Sequence, residues 1–297
     1  MGNIEGFTNR FWNNNPAQFI NFTFVAFTHN FLYTYSYIVV KNNETLSQYK
    51  WADTHCHLQL MKGNNSESDL FNLHYVIIPG VDVNSSVKAE DMSANLSMDS
   101  YWSAGLHPHE ADDLSECRTQ LYELMERADL IGETGLDFYR NMSTRENQIE
   151  NLLFHLNVAE ELSKPIIIHC RDSFKDVYRV LEEGRYSIPV ILHSWTGGNN
   201  WTKQFKELGV YFSISGIVTY KTAHDLQASV KQIPLDKLLL ETDVPYLTPE
   251  PYKGQSNVPS NIMFTAQKLS ELLELELEEL SKTTIRNTDA LLGRTHE

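Results

Sequence analysis

The sequence predicts an α/β protein, a (β/α)8 TIM barrel, and three observations support this fold class. From Trp51 onward, short apolar runs typical of buried strands alternate with amphipathic helical segments. There are eight such units, and a chain of 297 residues is long enough for a barrel of about 250 residues. Histidines and carboxylates follow the apolar runs, and a barrel of this kind carries its active site at the carboxyl ends of its strands.

The predicted strands are short runs rich in aliphatic and aromatic residues: Tyr49–Cys56, His74–Pro79, Tyr101–Leu106, Leu130–Thr134, Ile166–Cys170, Val190–His193, Val210–Ile214 and Leu238–Thr242. Between most of them apolar residues recur at helical spacing, which predicts helices at Val83–Leu96, Leu114–Arg127, Thr144–Leu162, Phe174–Glu182, Trp201–Leu208 and Ala223–Gln232. Two more helices, Ser260–Leu273 and Leu277–Leu292, close the chain. Because no repeat or low-complexity linker interrupts them, residues 49–297 are predicted to form one domain.

Residues 1–48 form an atypical N-terminal extension that is rich in aromatic side chains. The first 50 residues hold 12 of the 33 aromatic residues of the chain. Aromatic side chains at alternate positions from Phe27 to Val39 favour an added strand or hairpin that packs on a protein partner. An untranslated or disordered leader is the alternative. Polar residues such as Asn21 and Asn30 interrupt the apolar stretch, so a signal peptide or a membrane span is disfavoured.

Charge and cysteine content narrow the class of protein further. The formal net charge is −15, with 39 acidic and 24 basic residues, which argues against long-range attraction to nucleic acid or to an anionic membrane. A nuclease is still compatible with this charge, because bound divalent metals reverse the local field. The three cysteines are odd in number and suit a reduced, cytoplasmic protein better than a disulfide framework.

The most informative stretch is the motif at residues 53–57, Asp-Thr-His-Cys-His, at the end of the first predicted strand. Side chains alternate along a strand, so Asp53, His55 and His57 are expected on one face. Two imidazoles two residues apart can hold one metal ion together. Taken alone, the motif is equally compatible with a strand that carries two incidental histidines.

The later strands change this balance, because most of them also end in histidine or a carboxylate. The residues concerned are His107, Glu133, Asp137, His169, His193 and Asp243. Glu133 lies between two glycines, and His169 directly follows three isoleucines. With His55 and His57 this makes four histidines, the other two being His169 and His193, and two carboxylates, Glu133 and Asp243, that suit two divalent metals, with Glu133 placed to bridge them.

Together these motifs resemble the TatD family of metal-dependent deoxyribonucleases, within the amidohydrolase-like barrels, from about Trp51 to Gly293. The resemblance implies a barrel of the metal-dependent hydrolase type that uses two Mg²⁺, Mn²⁺ or Zn²⁺ ions. It implies cleavage of DNA phosphodiester bonds, usually as a 3′–5′ exonuclease, with single strands or strand ends as substrates. The implied metal ligands fall into two sets and a bridge: His55, His57 and Asp243 on one ion, His169 and His193 on the other, and Glu133 between them.

The residue types agree with that chemistry. Two cations can lower the pKa of a shared water while they hold the phosphoryl oxygens, and Asp243 would take the proton from this water. Arg suits phosphate because of its planar fork of donors, although a structural salt bridge of Arg171 is the alternative. The expected substrate contacts are His107, Arg171, Lys253 and Tyr246. Asp53 and Asp137 are expected to orient metal-binding histidines.

One segment departs from the family pattern. Where the family usually has a basic segment of the form Arg-Gly-Lys-Arg-Asn-x-Pro, residues 253–259 read Lys-Gly-Gln-Ser-Asn-Val-Pro. The Gly, Asn and Pro are kept, so the shape of the loop is expected to persist. Two basic positions are lost, which weakens the expected affinity for long nucleic acid. A short or processed substrate, or help from a partner, is therefore favoured.

Two other functions are compatible with the sequence. The first is a metallohydrolase of a small ester, amide or phosphoester, since one metal arrangement serves many bonds. The second is a nuclease subunit of a larger assembly, such as one for defence against phage, into which residues 1–48 would dock the barrel.

Overall fold

The computed structural model of the chain describes residues 48–61 and 67–294. In this part of the chain eight parallel strands form one sheet in sequence order. The strands are β1 (Trp51–Asp53), β2 (Leu73–Pro79), β3 (Ser100–Ala104), β4 (Leu130–Asp137), β5 (Ile166–Arg171), β6 (Val190–Leu192), β7 (Tyr211–Ile214) and β8 (Leu238–Leu240). The backbone N–H of Thr54 donates to Leu240 O at 3.0 Å, so the first and last strands meet. The predicted (β/α)8 barrel is confirmed.

Helices cover the outside of this nearly closed barrel. Within the described residues they are α1 (Glu67–Leu70), α2 (Val83–Asn95), α3 (Leu114–Arg127), α4 (Arg145–Leu162), α5 (Phe174–Gly184), α6 (Gly198–Glu207), α7 (His224–Val230), α8 (Ile262–Leu273) and α9 (Leu277–Leu291). Short polar side chains start two of them: Asp82 accepts from the backbone N–H of Ser85 in a capping box, and Thr144 caps α4. No helix of the described residues is both long and apolar enough to cross a membrane.

The alternation of side chains along the strands divides the apolar residues between two buried clusters. The cluster inside the barrel combines Leu291 of α9 with one residue on each of six strands: Ile77, Leu130, Ile167, Ile191, Tyr211 and Leu239. Neighbouring residues such as Ile166 and Ile168 belong to the larger cluster that also includes helix residues. Burial of one such aliphatic side chain stabilises the fold by about 1.5–3 kcal/mol. The interior cluster therefore supports the polar residues that follow it along the strands.

Strand ends differ from the prediction where the site is built. β4 extends to Asp137, three residues beyond the predicted end, whereas β1 and β8 stop at Asp53 and Leu240. Beyond those points the two segments hydrogen-bond to each other outside the regular strand pairing, since the backbone N–H of Asp243 donates to His55 O at 2.8 Å. The polar residues after β1 and β8 thus lie on segments that cross-link, and not on regular strand.

The domain prediction concerns residues that are only partly described. The predicted extension, residues 1–48, lies outside the described residues except for Gln48. The strands and helices of the described residues lie between Trp51 and Leu291, and the domain bounds 49–297 stay a prediction.

Candidate active site

Polar side chains from several strand ends meet in a cavity of about 670 Å³ at the carboxyl end of the barrel. Strand periodicity explains why they point there. Ile167 and Ile191 lie in the interior cluster, so His169 and His193, two residues further on, face the same side. The carboxyl end of the strands is where a barrel places its chemistry.

The first group of donor atoms gathers around one oxygen of Glu133. The Nε2 atoms of His55 and His57 are 3.0 Å apart. Glu133 Oε2 lies 3.3 Å from His55 Nε2 and 3.6 Å from His57 Nε2. Asp243 Oδ1 lies 3.7 Å and 3.5 Å from the same two nitrogens. Four donor atoms from three parts of the chain therefore surround one point.

The second group gathers around the other oxygen of Glu133. Oε1 lies 2.9 Å from His193 Nε2 and 3.1 Å from His169 Nδ1, and these two nitrogens are 2.9 Å apart. His107 Nε2 lies 3.3 Å from the same oxygen. His107, which the sequence analysis assigned to substrate, is thus placed beside the second group.

These distances fit ligands of a divalent cation. Two nitrogen or oxygen ligands about 2.0–2.1 Å from one tetrahedral ion are about 3.3 Å apart, which is the spacing found in both groups. The two groups bring like donor atoms together, for example the Nε2 atoms of His55 and His57, which are 3.0 Å apart. A cation between such atoms would offset their mutual repulsion. The residues present therefore suit the metal that the sequence predicted, and imidazole with carboxylate is a donor set for borderline divalent ions.

Neighbouring groups fix which nitrogen each imidazole presents. His57 Nδ1 lies 3.1 Å from Pro79 O, which leaves Nε2 for the centre. His169 is reversed: its Nε2 lies 3.3 Å from Asp137 Oδ2, and its Nδ1 faces Glu133. Asp137 Oδ2 is also 2.9 Å from His109 Nε2. The predicted orienting contact of Asp137 with a histidine is therefore present in the geometry.

Asp53 acts on the backbone and on a hydroxyl. Its carboxylate accepts from Thr242 N at 3.0 Å, from Thr242 Oγ1 at 2.6 Å and from His55 N at 3.3 Å. These contacts join the segment after β1 to the segment after β8. They reach His55 through its backbone, and within the described residues no hydrogen bond links Asp53 to an imidazole ring, which was the predicted contact. Burial raises the pKa of Asp53 to about 7. Its role in the structure is to join the segments that follow β1 and β8.

Electrostatic effects on the site residues depend on the balance of burial and neighbouring charge. Burial would raise the pKa of Glu133, but the imidazoles of His193, His107 and His55 outweigh it and hold this pKa well below its usual value. Burial dominates at two imidazoles and lowers the pKa of His55 to about 3 and that of His107 to about 4. At His193 burial is outweighed by Glu133 and Glu241, which raise its pKa.

The backbone at Gly105, just before His107, lies very close to the backbone at Gly132, just before Glu133. A Cβ at Gly105 would lie 2.3 Å from the carbonyl carbon of Gly132, and Gly132 itself has a φ of +115°. Both positions therefore require glycine. Asp243 also has a positive φ, +58°, a conformation that Asp tolerates better than most residues.

The remaining predicted substrate contacts lie at different distances from the cavity. Arg171 and Tyr246 line it. Arg171 makes no ion pair within the described part of the chain; its guanidinium lies over the ring of Tyr139, with Cζ 4.1 Å from the ring centroid. Lys253 is exposed, lies outside the cavity lining, and its Nζ sits 3.8 Å from the ring centroid of Tyr220.

The loop at residues 253–259, which departs from the family's basic pattern, is anchored through Asn257. The buried side chain of Asn257 donates to Thr242 O at 2.9 Å and to Tyr246 O at 2.7 Å. These bonds hold the backbone on both sides of Asp243.

Sequence reasoning missed Glu241. This residue is fully buried, accepts from Ser194 N at 2.8 Å through Oε1, and places the same oxygen 3.5 Å from His193 Nδ1. The rings of His55 and His193 stack with their centroids 4.0 Å apart, and each offers a donor atom near Glu241. Strand periodicity could have found it, because Leu239 faces the barrel interior and Glu241 is two residues further on.

A barrel whose mouth collects imidazoles and carboxylates in this way defines a class, the metal-dependent hydrolases of the (β/α)8 type. Residues 52–293 match the family described as TatD related DNase. The chain belongs to this family.

Relatives of known name agree with the class. The chain is 33% identical to an uncharacterized metal-dependent hydrolase, YabD, of Bacillus subtilis over 249 residues, which cover 80% of this chain and 97% of the relative. It is 35% identical to the uncharacterized metal-dependent hydrolase YcfH of Escherichia coli over 190 residues, 63% of this chain and 71% of the relative. Among solved structures, YJJV, a TatD homolog from Escherichia coli, has a TM-score of 0.78 at 24% identity and covers 84% of this chain and 100% of its own. That likeness shows the fold.

Proposed function

We propose that this metal-dependent hydrolase is a deoxyribonuclease that cleaves DNA phosphodiester bonds stepwise from the 3′ end of a single strand. It would use two divalent cations, Mg²⁺, Mn²⁺ or Zn²⁺. The observation that carries the proposal is the position of Glu133, whose Oε2 faces His55 and His57 while its Oε1 faces His169 and His193. A carboxylate with one oxygen toward each donor group is suited to bridge two ions. The family match supports DNA as the substrate.

The proposed roles follow from the two groups of donor atoms. His55, His57 and Asp243 would hold one ion, and His169 and His193 the other, with His107 beside the second. Bound divalent cations supply Lewis acidity and lower the pKa of water. Asp243, largely buried at the edge of the first group, would accept the proton that the attacking water loses. Its backbone N–H donates to His55 O at 2.8 Å, which fixes the point from which the side chain extends.

Charge at the cavity supports a short single strand as the substrate. Five carboxylates line the cavity, Asp82, Glu110, Glu133, Asp137 and Asp243, against the two guanidinium groups of Arg140 and Arg171. A surface of this composition neutralises few phosphates, so affinity for long duplex DNA would be low. The metals would provide most of the positive charge.

Location and partners form a separate part of the proposal. We place the enzyme in the cytoplasm, and the three free thiols support a reducing compartment. A protein partner would bind through residues 1–48. A chain truncated to Tyr49–Glu297 should hydrolyse the same substrate at a similar rate and differ from the full chain in size-exclusion behaviour. A folded but inactive truncated chain would show instead that residues 1–48 belong to the active site.

The proposal is tested with metal-free protein reloaded separately with Mg²⁺, Mn²⁺ or Zn²⁺. Single-stranded and duplex oligonucleotides, labelled at the 5′ or the 3′ end, are compared with a small phosphodiester of equal concentration. Stepwise shortening of the 5′-labelled single strand, with early release of the 3′ label, is the expected result. Hydrolysis of the small phosphodiester alone would replace the nuclease with a metallohydrolase of small esters. Internal cuts would keep the deoxyribonuclease but overturn the exonuclease polarity.

A further inference from the structure

Exposed apolar side chains concentrate around the mouth of the cavity. Among the described residues seven large hydrophobic side chains are exposed, and three of them are at the mouth. Met142 (62% exposed) and Tyr246 (55% exposed) line the cavity. Tyr139 (61% exposed) stacks with Arg171, which lines it. Exposed apolar groups gathered at one place mark a binding surface more often than scattered ones do.

Tyr139 is held in place by the carboxylate that also contacts His169. Asp137 Oδ1 accepts from the backbone N–H of Tyr139 at 3.0 Å and from that of Arg140 at 2.8 Å. The other oxygen of Asp137 lies 3.3 Å from His169 Nε2. The ring of Tyr139 carries the guanidinium of Arg171 above it at 4.1 Å. The guanidinium of Arg171 therefore lies against the ring of Tyr139, and the backbone of Tyr139 is tied to the carboxylate that contacts the second donor group.

Tyr246 is fixed in the same way relative to the first donor group. Its backbone N–H donates to Asp243 O at 2.7 Å, and its carbonyl accepts from Asn257. Its ring meets that of His57 edge-on, with centroids 6.4 Å apart. Tyr139 follows β4 and Tyr246 follows β8, which are four strands apart in a ring of eight, so the two rings lie on opposite sides of the mouth.

We infer that these two tyrosines are stacking platforms for the two nucleobases that flank the scissile phosphate, with Arg171 completing the platform at Tyr139. The inference rests on the proposed nuclease function and specifies its substrate as a base-bearing single strand. Stacking on aromatic rings and guanidinium planes holds single strands without regard to sequence. It supplies the affinity that a cavity lined by five carboxylates and two guanidiniums cannot obtain from phosphate contacts. Bases paired within a duplex are not available for such stacking.

The test compares three oligonucleotides of one length with the metal-loaded, full-length protein. The first is ordinary single-stranded DNA, and the other two carry an abasic tetrahydrofuran residue on one or on the other side of the terminal scissile phosphate. We expect each abasic residue to raise KM about tenfold with little change in kcat. Tyr139→Ala and Tyr246→Ala should each raise KM about tenfold for ordinary DNA, and each should leave KM unchanged for the one abasic substrate that lacks its base.

Two kinds of variant separate stacking from a structural role. Tyr139→Phe and Tyr246→Phe keep the ring face and should restore the KM of the wild type. Phe71→Ala removes a ring of similar exposure (44%) on the turn before β2, at the opposite end of the barrel, and should have no effect. Alanine variants that raise KM equally for all three substrates would overturn the inference.

The outcome also distinguishes the inference from the proposed function. If the wild-type enzyme cleaves ordinary and abasic oligonucleotides with the same KM, the stacking platforms are wrong and the nuclease stands. If it cleaves none of them under any metal, the nuclease function fails and the platforms fail with it.

Discussion

Two regions of this protein bury imidazoles, and they do so in opposite ways. His155, on α4 outside the barrel, is fully buried with both ring nitrogens paired to the backbone. Leu106 N donates to its Nε2 at 3.0 Å, and its Nδ1 donates to Asn151 O at 2.7 Å. At the mouth, His193 is also buried, but its Nε2 lies 2.9 Å from both Glu133 Oε1 and His169 Nδ1.

The comparison shows how a structural histidine differs from a ligand. The partners of His155 use one donor and one acceptor, which is all that a neutral imidazole offers. The mouth places several imidazole nitrogens around a single carboxylate, so no assignment of protons satisfies all of them at once. Burial lowers the pKa of His155 to about 4 and that of His55 at the mouth to about 3, whereas Glu133 and Glu241 outweigh burial and raise the pKa of His193. Crowded donors indicate a cation, and paired donors indicate structure.

The largest effect should follow from the residue that both donor groups share. Glu133→Gln keeps the size of the side chain and removes its charge, so hydrolysis should fall below detection with every metal while the circular dichroism spectrum is unchanged. Metal content, measured by mass spectrometry after dialysis, should fall below that of the wild type. Retained hydrolysis would mean that the two groups do not act through this carboxylate.

Asp243→Asn changes only the first donor group, and its effect on hydrolysis should be the second largest. Loss of a general base typically costs about 10²–10⁴-fold in rate, and we expect kcat to fall in that range with KM for DNA little changed. The backbone bond of Asp243 to His55 O does not involve the side chain, so the melting temperature should stay near that of the wild type. A rise in KM without a fall in kcat would assign Asp243 to substrate binding.

Glu241→Gln tests a fully buried carboxylate whose Oε1 lies 3.5 Å from His193 Nδ1. At this distance the carboxylate would favour a proton on His193 Nδ1, which would leave Nε2 for a cation. Loss of such support typically weakens metal affinity about 10–100-fold. Titration with Co²⁺, followed by its visible absorption, should show one weakened site. Glu271→Gln, at an exposed position of α8, is the control and should bind Co²⁺ as the wild type does.

Much of this arrangement follows from local sequence. Each of β5 and β6 carries an interior isoleucine two residues before a histidine, and alternation along a strand sends both side chains to the same side. The convergence of His169 and His193 was predictable for that reason. His55 and His57 were predicted from the spacing of their motif, although they lie beyond the end of β1.

Contacts between distant parts of the chain were not predictable in the same way. Asp53 binds Thr242, 189 residues away, where a contact with an imidazole was expected. Arg171 reaches Tyr139 because it is paired with Asp137 in the register of β4 and β5. That register includes a shift between Ile131 and Thr134, close to Glu133. Lys253, on an exposed loop, packs against the ring of Tyr220, and the sequence gives no sign of this contact because the two residues are far apart along the chain. Pairings of this kind depend on the closed barrel.

The smallest effect concerns His155 and the pH dependence of stability. The pKa of His155 is about 4 in the folded protein and about 6.5 when the chain is unfolded, so the unfolded state binds more protons between these values. Stability from the neutral ring is therefore complete above about pH 6.5 and is lost as the pH falls toward 4, by at most about 3 kcal/mol. His155→Gln cannot titrate, and its free energy of unfolding in urea should fall less steeply between pH 6.5 and pH 4.5 than that of the wild type. His74→Gln, at an exposed position of β2, should keep the wild-type slope. Equal slopes for His155→Gln and the wild type would show that the ring is protonated in the folded protein, and the contrast between a paired and a crowded imidazole would then be lost.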